Sequence, residues 1–286
     1  MVRIGTHVSS AGSLDLVFDR ALEVKADTIQ FFLRSPRSWT WKNREDKEKE
    51  MFLQKKNISN VYPVVVHASY LFNLASNDEG LREKSINGVL QELRLCEELE
   101  INYYVIHAGK AKGQKEEQAI NNILKAMDEI FNKVQLKNTY FLVETLAGQK
   151  GEIGKTTEEI KKLIEPFKSE KIGVCIDTCH LYSAGYKINE REGFNNYKEQ
   201  LENLIGIEKV KVIHCNDSKT EFNSKKDRHE HIGEGSIGLK GFELFLNDVY
   251  FSKLPFILET PKKDNWDIIN MRRLRSLIKA PVAQSG

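Results

Sequence analysis

The chain has 286 residues, of which 40% are hydrophobic and 29% are charged. Because 43 lysines and arginines nearly balance 41 aspartates and glutamates, the formal net charge is only +2, which excludes a protein that holds nucleic acid through bulk positive charge. The hydrophobic fraction and the absence of long charged blocks also exclude a largely disordered chain.

Short runs of β-branched and aromatic residues recur along the chain and predict eight β-strands. In chain order they are Val2–His7, Thr28–Leu33, Tyr62–His67, Asn102–His107, Thr139–Glu144, Ile172–Asp177, Val210–Cys215 and Pro255–Glu259. Segments with helical periodicity, such as Ser85–Leu99, separate these strands, and Thr156–Glu159 has the pattern of a capping box that opens a further helix. Each interval is long enough for one crossover helix.

Strict alternation of strands and helices predicts a parallel sheet with right-handed crossovers. Eight such units in this length fit a closed (β/α)8 TIM barrel, and we predict a single domain over residues 1–286 because no low-complexity linker divides the chain. The alternative is an open, doubly wound sheet, whose nucleotide-binding versions have a glycine-rich turn after the first strand. The segment Thr6–Gly12 lacks that pattern.

The chain also shows no sign of export or of a membrane span. Its first residues lack the charged and then apolar layout of a secretory signal, and no apolar run reaches the roughly 18 residues that a transmembrane helix needs. The four cysteines form no CxxC pair, which is typical of reduced thiols, and we interpret Cys175 as a small buried hydrophobe. We therefore expect a cytoplasmic protein, and a monomer.

Residues of metal-binding types gather at the carboxyl ends of the predicted strands. Six end or nearly end a strand, namely His67, His107, Glu144, Asp177, His214 and Glu259, and three more follow in loops, namely His180, Asp227 and His229. One such histidine alone is more often a hydrogen-bonding residue, and one such carboxylate alone is more often a helix cap. A closed barrel, however, brings all nine side chains to one mouth, where barrel active sites lie.

Five imidazoles and four carboxylates at one mouth would leave buried charges uncompensated unless cations lay among them. Mixed ligation of this kind favours Zn²⁺, with Mn²⁺ or Fe²⁺ as alternatives, over Mg²⁺ and Ca²⁺. Nine ligands exceed what one tetrahedral zinc ion uses, so the sequence predicts a multinuclear site. Hydrolysis of a phosphodiester is a reaction to which such a site is well suited, because neighbouring metals activate water and clamp a phosphoryl group.

Seven short motifs follow one another along the chain. They are Gly5-Thr-His-Val-Ser-Ser-Ala-Gly12, Val66-His-Ala-Ser-Tyr-Leu-Phe-Asn-Leu-Ala75, Ile106-His-Ala-Gly109, Gly173-Val-Cys-Ile-Asp-Thr-Cys-His180, His214-Cys-Asn-Asp-Ser-Lys219, Asp227-Arg-His-Glu-His-Ile-Gly-Glu-Gly235 and Ile257-Leu-Glu-Thr-Pro261. In this order and spacing the chain resembles the endonuclease IV family of apurinic/apyrimidinic (AP) endonucleases, from Met1 to about Ile278. It departs from the usual pattern at Thr145 and Leu146, at Lys187 and at Cys215, none of which is a ligand position.

The resemblance implies a trinuclear zinc site in a TIM barrel. The first zinc would be held by His67, His107 and Glu144, which bridges to the second; Asp177, His214 and Glu259 would complete the second; and His180, Asp227 and His229 would hold the third. The implied reaction is hydrolysis of double-stranded DNA 5′ to an abasic site, leaving a 3′-hydroxyl, in base excision repair. Glu144 or Glu259 would orient or deprotonate the attacking water. Three Zn²⁺ would raise the formal net charge to about +8.

The family flips the abasic nucleotide out of a bent duplex, and four residues match positions that contact the DNA: Arg37, Tyr70, Leu71 and Arg228. Tyr70 and Leu71 match a wedge that replaces the lost base stacking. The alternatives are that Arg37 is a solvated surface arginine, that Tyr70 and Leu71 are core residues beginning a helix, and that Arg228 pairs with a carboxylate.

Two other functions compete with DNA cleavage. A sugar isomerase or epimerase on a related barrel would use one or two metals and would leave the third ligand set, which includes His180 and His229, without a role. A protein that binds damage without cutting it is disfavoured by the intact ligand set. Of the remaining histidines, we interpret His7 as structural or as supporting the ligands, and His231 as a surface or loop residue.

Overall fold

The computed structural model of the protein describes residues 2–279. Its strands, numbered in chain order, are β1 (Arg3–His7), β2 (Ile29–Phe32), β3 (Val64–His67), β4 (Tyr103–Ile106), β5 (Tyr140–Glu144), β6 (Ile172–Asp177), β7 (Val210–His214), β8 (Asp217–Ser218), β9 (His229–Glu230) and β10 (Pro255–Leu258). Its helices are α1 (Leu16–Glu23), α2 (Asp46–Ile58), α3 (Glu79–Glu98), α4 (Glu116–Lys133), α5 (Thr157–Ile164), α6 (Thr178–Ala184), α7 (Arg191–Leu204), α8 (Gly238–Leu246) and α9 (Trp266–Ser276).

Eight of the strands form a closed parallel barrel, in which β1 pairs with both β2 and β10. All eight predicted strands are present with small shifts of their ends, so the TIM-barrel prediction is confirmed and the open sheet is excluded. Among residues 2–279, none of the helices combines the length and the apolar character needed to cross a membrane.

The barrel encloses a small core of its own, separate from the larger core between strands and helices. Inward-facing side chains from six strands form this inner layer: Val65, Val105, Leu142, Cys175, Val212 and Ile257. Cys175 is fully buried there, as expected for a small hydrophobe, and burial raises the pKa of its thiol to about 12. The layer closes the barrel beneath the strand ends, and the polar side chains two residues further along each strand face the same interior at the mouth.

The predicted helix signals are present, with one difference. Ser85–Leu99 lies almost entirely within α3, and the Thr156 hydroxyl accepts a hydrogen bond from the backbone N–H of Glu159 at 3.2 Å, as expected for an N-cap. The returning half of the capping box is shifted, because the Glu159 carboxylate accepts from the N–H groups of Gly154 and Lys155 instead of Thr156.

A long connection after β7 folds back over the barrel mouth. The short antiparallel pair β8–β9 places Ser218 opposite His229. The segment that follows β9 is held by the buried Asp217 carboxylate. This carboxylate accepts hydrogen bonds from five backbone N–H groups, those of Ser218, Gly233, Gly235, Ile237 and Gly238. One carboxylate therefore fixes the loop that brings Asp227 and His229 to the mouth.

Replacing Asp217 with asparagine should lower the free energy of unfolding by about 3 kcal/mol, because the new NH2 group faces backbone donors instead of accepting from them. Urea denaturation measures this change. Asp128→Asn, on the exposed face of α4, is the matched control and should change stability by less than about 0.5 kcal/mol. Equal stability of the two variants would show that Asp217 does not organise the loop.

Candidate functional site

The nine side chains of metal-binding type lie together at the barrel mouth. Their donor atoms approach within 4.8 Å of one another in three sets: His67, His107 and Glu144; Glu144, Asp177, His214 and Glu259; and His180, Asp227 and His229. These are the sets that the sequence resemblance implies. The structure therefore brings together every residue that was predicted as a ligand.

Glu144 lies at the centre of the cluster and connects the first two sets. Its Oε2 is 3.1 Å from His67 Nε2 and 3.2 Å from His107 Nε2, whereas its Oε1 is 3.0 Å from His214 Nδ1 and 3.3 Å from His180 Nδ1. Burial opposes ionisation of Glu144, but the neighbouring imidazoles of His214 and His107 outweigh it and hold the pKa of the carboxyl well below its usual value. An ionised carboxylate with both oxygens among imidazoles has the chemistry of a bridging ligand.

The set of His180, Asp227 and His229 has the features most typical of a metal site. Asp227 Oδ1 lies 3.3 Å from His180 Nε2 and 3.2 Å from His229 Nε2. Both nitrogens are buried, yet neither makes a hydrogen bond. Because a buried polar atom without a partner is costly, and because imidazole and carboxylate donors suit Zn²⁺, these residues fit a metal ion.

Hydrogen bonds outside the cluster fix which imidazole nitrogen faces inward. In three histidines Nδ1 donates to a backbone carbonyl. His67 donates to the carbonyl of Ala68 at 2.8 Å, His180 to that of Thr145 at 2.8 Å, and His229 to that of Glu259 at 3.1 Å. These three histidines therefore direct Nε2 into the cluster. His214 is reversed, since its Nε2 bonds to Gln30 at 2.8 Å and its Nδ1 faces the carboxylates of Glu144 and Glu259.

Without metal, neighbouring groups of opposite charge shift the pKa values of His180 and Glu259 toward their charged forms. Burial lowers the pKa of His180, but the carboxylates of Asp177 and Asp227 outweigh it and raise this pKa well above the usual value. Burial likewise raises the pKa of Glu259, but the His214 imidazole outweighs it and lowers the pKa to about 2. Because a metal binds the unprotonated imidazole, a raised pKa at His180 means that metal uptake there releases a proton.

Asp177 has two roles, both of which had been considered from sequence. Its Oδ1 caps α6 by accepting from the backbone N–H of His180 at 2.8 Å, and its Oδ2 lies 3.6 Å from His229 Nε2. Because α6 begins directly after β6, the cap places His180 one turn into the helix and above the barrel. Helix capping and candidate metal ligation are thus compatible in one side chain.

Sequence reasoning missed the polar residues that support the ligands. The Asn216 amide donates to Asp177 Oδ2 at 2.7 Å and accepts from the Glu259 N–H at 2.7 Å. Gln30, on β2, contacts both His214 and Glu259. A signal existed for each, because Asn216 lies within the quoted His214–Lys219 motif and Gln30 is a polar residue inside an apolar strand.

Tyr70 and Leu71 lie in a turn directly after β3 and not in a helix. The Tyr70 side chain is 53% exposed, and its ring is edge-on to His67 with 5.3 Å between centroids. The alternative of a core tyrosine is therefore wrong, and Leu71 is half-buried beside it. An exposed aromatic ring stands at the rim of the first ligand set.

The loop that contains Arg37 is anchored to both the barrel and the Tyr70 turn. Arg34 Nε pairs with the buried Glu92 carboxylate at 2.6 Å, and Ser69 Oγ donates to the Pro36 carbonyl at 3.1 Å. Arg37 itself is exposed and makes no hydrogen bond or ion pair within residues 2–279. A rigid loop therefore presents a guanidinium group that is available for a partner.

Arg228 is also exposed, and its Nη1 donates to the Asp227 carbonyl at 2.6 Å. In the described part of the chain it forms no ion pair, so the predicted alternative of a carboxylate partner is not observed. His7 is half-buried against Phe32, and burial lowers its pKa to about 3, while His231 stacks on Trp266 with 3.9 Å between ring centroids. Neither histidine belongs to a ligand set.

A cleft of about 920 Å³ opens beside the ligands, between the segments that follow β1, β2 and β10. Five of its lining side chains are cationic and two are carboxylates: Arg20, Arg34, Lys42, Arg44 and Lys262 against Glu23 and Asp267. Three of the five cations are paired with a carboxylate, Arg34 with Glu92, Arg44 with Glu48 and Lys262 with Asp267. Arg20 and Lys42 have no ion pair within residues 2–279. The charge of the cleft is therefore nearly balanced, and Arg20 and Lys42 are its cations without a carboxylate partner in the described part of the chain.

Several known proteins are similar to this chain. The family described as a xylose isomerase-like TIM barrel matches residues 18–277. The probable endonuclease 4 of Persephonella marina is 70% identical over 285 residues, which are 99% of this chain and 100% of that protein. The probable endonuclease 4 of Aquifex aeolicus is 48% identical, with 97% of this chain and 98% of that protein covered.

Two solved structures are similar to this chain over most of its length. The crystal structure of endonuclease IV from Thermus thermophilus matches with a TM-score of 0.85 at 33% identity, covering 96% of this chain and 98% of that one. A D-tagatose 3-epimerase-like protein matches with a TM-score of 0.74 at 20% identity, covering 96% of each chain. The second likeness shows a shared fold alone.

Proposed function

The chain belongs to the endonuclease IV family of DNA endonucleases, a class of hydrolases, and we propose that it is a zinc-dependent AP endonuclease. Its substrate is double-stranded DNA that contains an abasic site, and it cuts the phosphodiester on the 5′ side to leave a 3′-hydroxyl in base excision repair. The observation that supports this proposal is the three-part set of imidazoles and carboxylates, in which two buried nitrogens have no hydrogen-bond partner.

We propose that the three sets hold three metal ions, with Zn²⁺ as the preferred ion and Mn²⁺ or Fe²⁺ as alternatives. The first is held by His67, His107 and Glu144, the second by Glu144, Asp177, His214 and Glu259, and the third by His180, Asp227 and His229. When bound, the ions supply an activated water and neutralise charge that develops on the phosphate. All nine ligands come from one chain, so a monomer provides the complete site.

Glu259 is the carboxylate that we assign to accept the proton of the attacking water. Each oxygen of Glu144 faces two imidazoles, and the side chain of Glu144 is fully buried. The Glu259 side chain, by contrast, is 11% exposed. A proton acceptor must reach the water that it deprotonates, and partial exposure to the mouth allows that. Glu144 then serves as the bridging ligand.

We assign the DNA contacts to residues at the rim of the barrel mouth. Arg37, Tyr70 and Arg228 are exposed there. We assign Arg37 and Arg228 to backbone phosphates, since each guanidinium is free of carboxylate partners in residues 2–279. Tyr70 and Leu71 form the wedge that fills the gap left by the extruded abasic nucleotide.

Sugar epimerisation is the second candidate, supported by the shared fold. The set of His180, Asp227 and His229, with its two unpaired nitrogens, argues against it because an epimerase would not need a third metal. The test offers zinc-loaded protein a duplex with one abasic site, the undamaged duplex and a ketohexose. Incision 5′ to the abasic site with a 3′-hydroxyl end supports the proposal, whereas an uncut abasic duplex together with sugar turnover would overturn it.

Tyr70→Ala should weaken the affinity for abasic duplex DNA by about tenfold or more, because the wedge loses its stacking surface. Metal content should stay at the wild-type value, since Tyr70 belongs to no ligand set. Tyr62→Ala is the matched control, because Tyr62 is 52% exposed but precedes β3 at the opposite end of the barrel. Binding isotherms compare the three proteins, and normal affinity of Tyr70→Ala would refute the wedge.

A further inference from the structure

Gln30 is a fully buried glutamine inside the barrel. It lies on β2, whereas His214 ends β7 and Glu259 follows β10, and β1 separates β2 from β10 in the barrel. The side chain therefore crosses the barrel interior to reach both of them. A polar group in that position needs hydrogen-bond partners, because an unpaired amide in the interior is costly.

Every hydrogen-bonding group of the Gln30 side chain is used. Its Nε2 donates to Glu259 Oε1 at 2.6 Å and approaches His7 Nδ1 at 3.2 Å, and its Oε1 is 2.8 Å from His214 Nε2. The orientation of the amide is determined by chemistry, because an ionised Glu259 can only accept and must face the NH2 group. The oxygen then faces His214 Nε2, which must be the donor.

The amide thereby selects the nitrogen that His214 offers to the cluster. With the proton on Nε2, the lone pair of a neutral imidazole is on Nδ1, which lies 3.0 Å from Glu144 Oε1 and 3.2 Å from Glu259 Oε2. Among the candidate ligands, His67, His180 and His229 use backbone carbonyls for this purpose and direct Nε2 inward. A backbone carbonyl could not also hold a carboxylate, whereas the glutamine amide does both.

We infer that Gln30 is a positioning residue that orients His214 and Glu259 toward the same metal ion. The inference rests on the proposed function, because it assigns both residues to the second ligand set. That set also contains Glu144 and Asp177, neither of which is a hydrogen-bond partner of Gln30. Removing the amide should therefore weaken one metal site and leave the other two almost unchanged.

The test uses Gln30→Met, which keeps the length of the side chain and removes its hydrogen bonds. Stepwise zinc affinities of the metal-free protein are measured by competition with a chromophoric chelator. One zinc dissociation constant should rise by about 10- to 100-fold, while the other two change by less than about threefold. The kcat for abasic-site incision should fall with little change in KM, and excess zinc should restore part of it.

Gln200→Met is the matched control, since Gln200 also donates to a carboxylate, Glu158 Oε1 at 2.8 Å, but on the surface between α7 and α5. If Gln30→Met does not yield folded protein, Gln30→Glu replaces it; this variant keeps an acceptor for His214 and repels Glu259, so the same zinc constant should rise. Unchanged constants, or equal weakening of all three, would overturn the inference.

The failure of this inference can be separated from failure of the proposed function. Wild-type protein that binds zinc but leaves abasic DNA uncut would contradict the function and leave the zinc comparison valid. An active Gln30→Met protein with three wild-type zinc constants would contradict the positioning role alone.

Discussion

Replacing Glu259 with glutamine is expected to lower the rate of abasic-site incision by roughly 10³-fold while the affinity for abasic DNA stays within about threefold of the wild-type value. The amide keeps the size of the side chain but cannot take a proton. The amide oxygen can still accept from Gln30 Nε2, as Glu259 Oε1 does at 2.6 Å, and the NH2 group then takes the place of Oε2, where only the longer 3.4 Å bond from Asn216 is lost. The large loss should therefore fall on kcat.

Single-turnover rates at saturating zinc, with metal analysis of the same samples, measure this effect. Saturating zinc matters because Glu259 is also assigned as a ligand, and a lost metal would imitate a lost proton acceptor. Glu199→Gln, an exposed substitution on α7, is the control and should keep the wild-type rate. Unchanged turnover of Glu259→Gln would remove Glu259 from the mechanism.

Replacing Glu144 with alanine should have the second large effect, a loss of incision of more than about 10³-fold, equivalent to about 4 kcal/mol of transition-state stabilisation. Four imidazoles surround this buried carboxylate, and without it they face one another with no anion between them. The first and second ligand sets share Glu144, whereas the set of His180, Asp227 and His229 does not include it.

Bound zinc in Glu144→Ala should therefore fall from about three ions per chain to about one. Metal analysis after equilibrium dialysis against limiting zinc gives this number directly. Glu158→Ala, at an exposed position on α5, provides the control for removal of a carboxylate. A Glu144→Ala protein that retained all its zinc and cut at the wild-type rate would show that Glu144 is not a bridging ligand.

The barrel and the nine candidate ligands could be predicted from sequence because both depend on local patterns, whereas the division of the ligands into three sets is what the family resemblance implies. In an apolar strand that ends in a histidine or a carboxylate, such as Val64–His67, the polar residue indicates where the strand reaches the barrel mouth. Closure of the barrel then brings together nine residues that are far apart in the chain, without any knowledge of side-chain angles. The sequence therefore sufficed for the fold and for the identity of the candidate ligands.

Side chains that act through partners on distant strands could not be predicted in the same way. Gln30 stands out as a polar residue in an apolar strand, but the sequence does not indicate that its partners are His214 and Glu259, which it meets only across the interior of the closed barrel. Asp217 lay within a quoted motif, yet its role depends on backbone N–H groups of a loop that returns some 16 to 21 residues later. Tyr70 could be assigned to the surface only when its exposure was known.

Net charge was the least informative feature of the sequence. The formal value of +2 counts Glu144, Asp177, Asp227 and Glu259 as negative charges, although all four point into the ligand sets. The cationic side chains that we assign to a phosphate backbone are local, since Arg37 and Arg228 are exposed and have no carboxylate partner within residues 2–279. Charge must therefore be judged at the site and not over the chain.

The most direct test of the three-metal AP endonuclease is a zinc titration of metal-free protein in which bound zinc and incision of a defined abasic duplex are measured on the same samples. We predict that incision reaches its maximum only at about three bound zinc ions per chain and leaves a 3′-hydroxyl on the 5′ side of the lesion. Full activity with one zinc ion, or three bound zinc ions with an uncut abasic duplex, would contradict it.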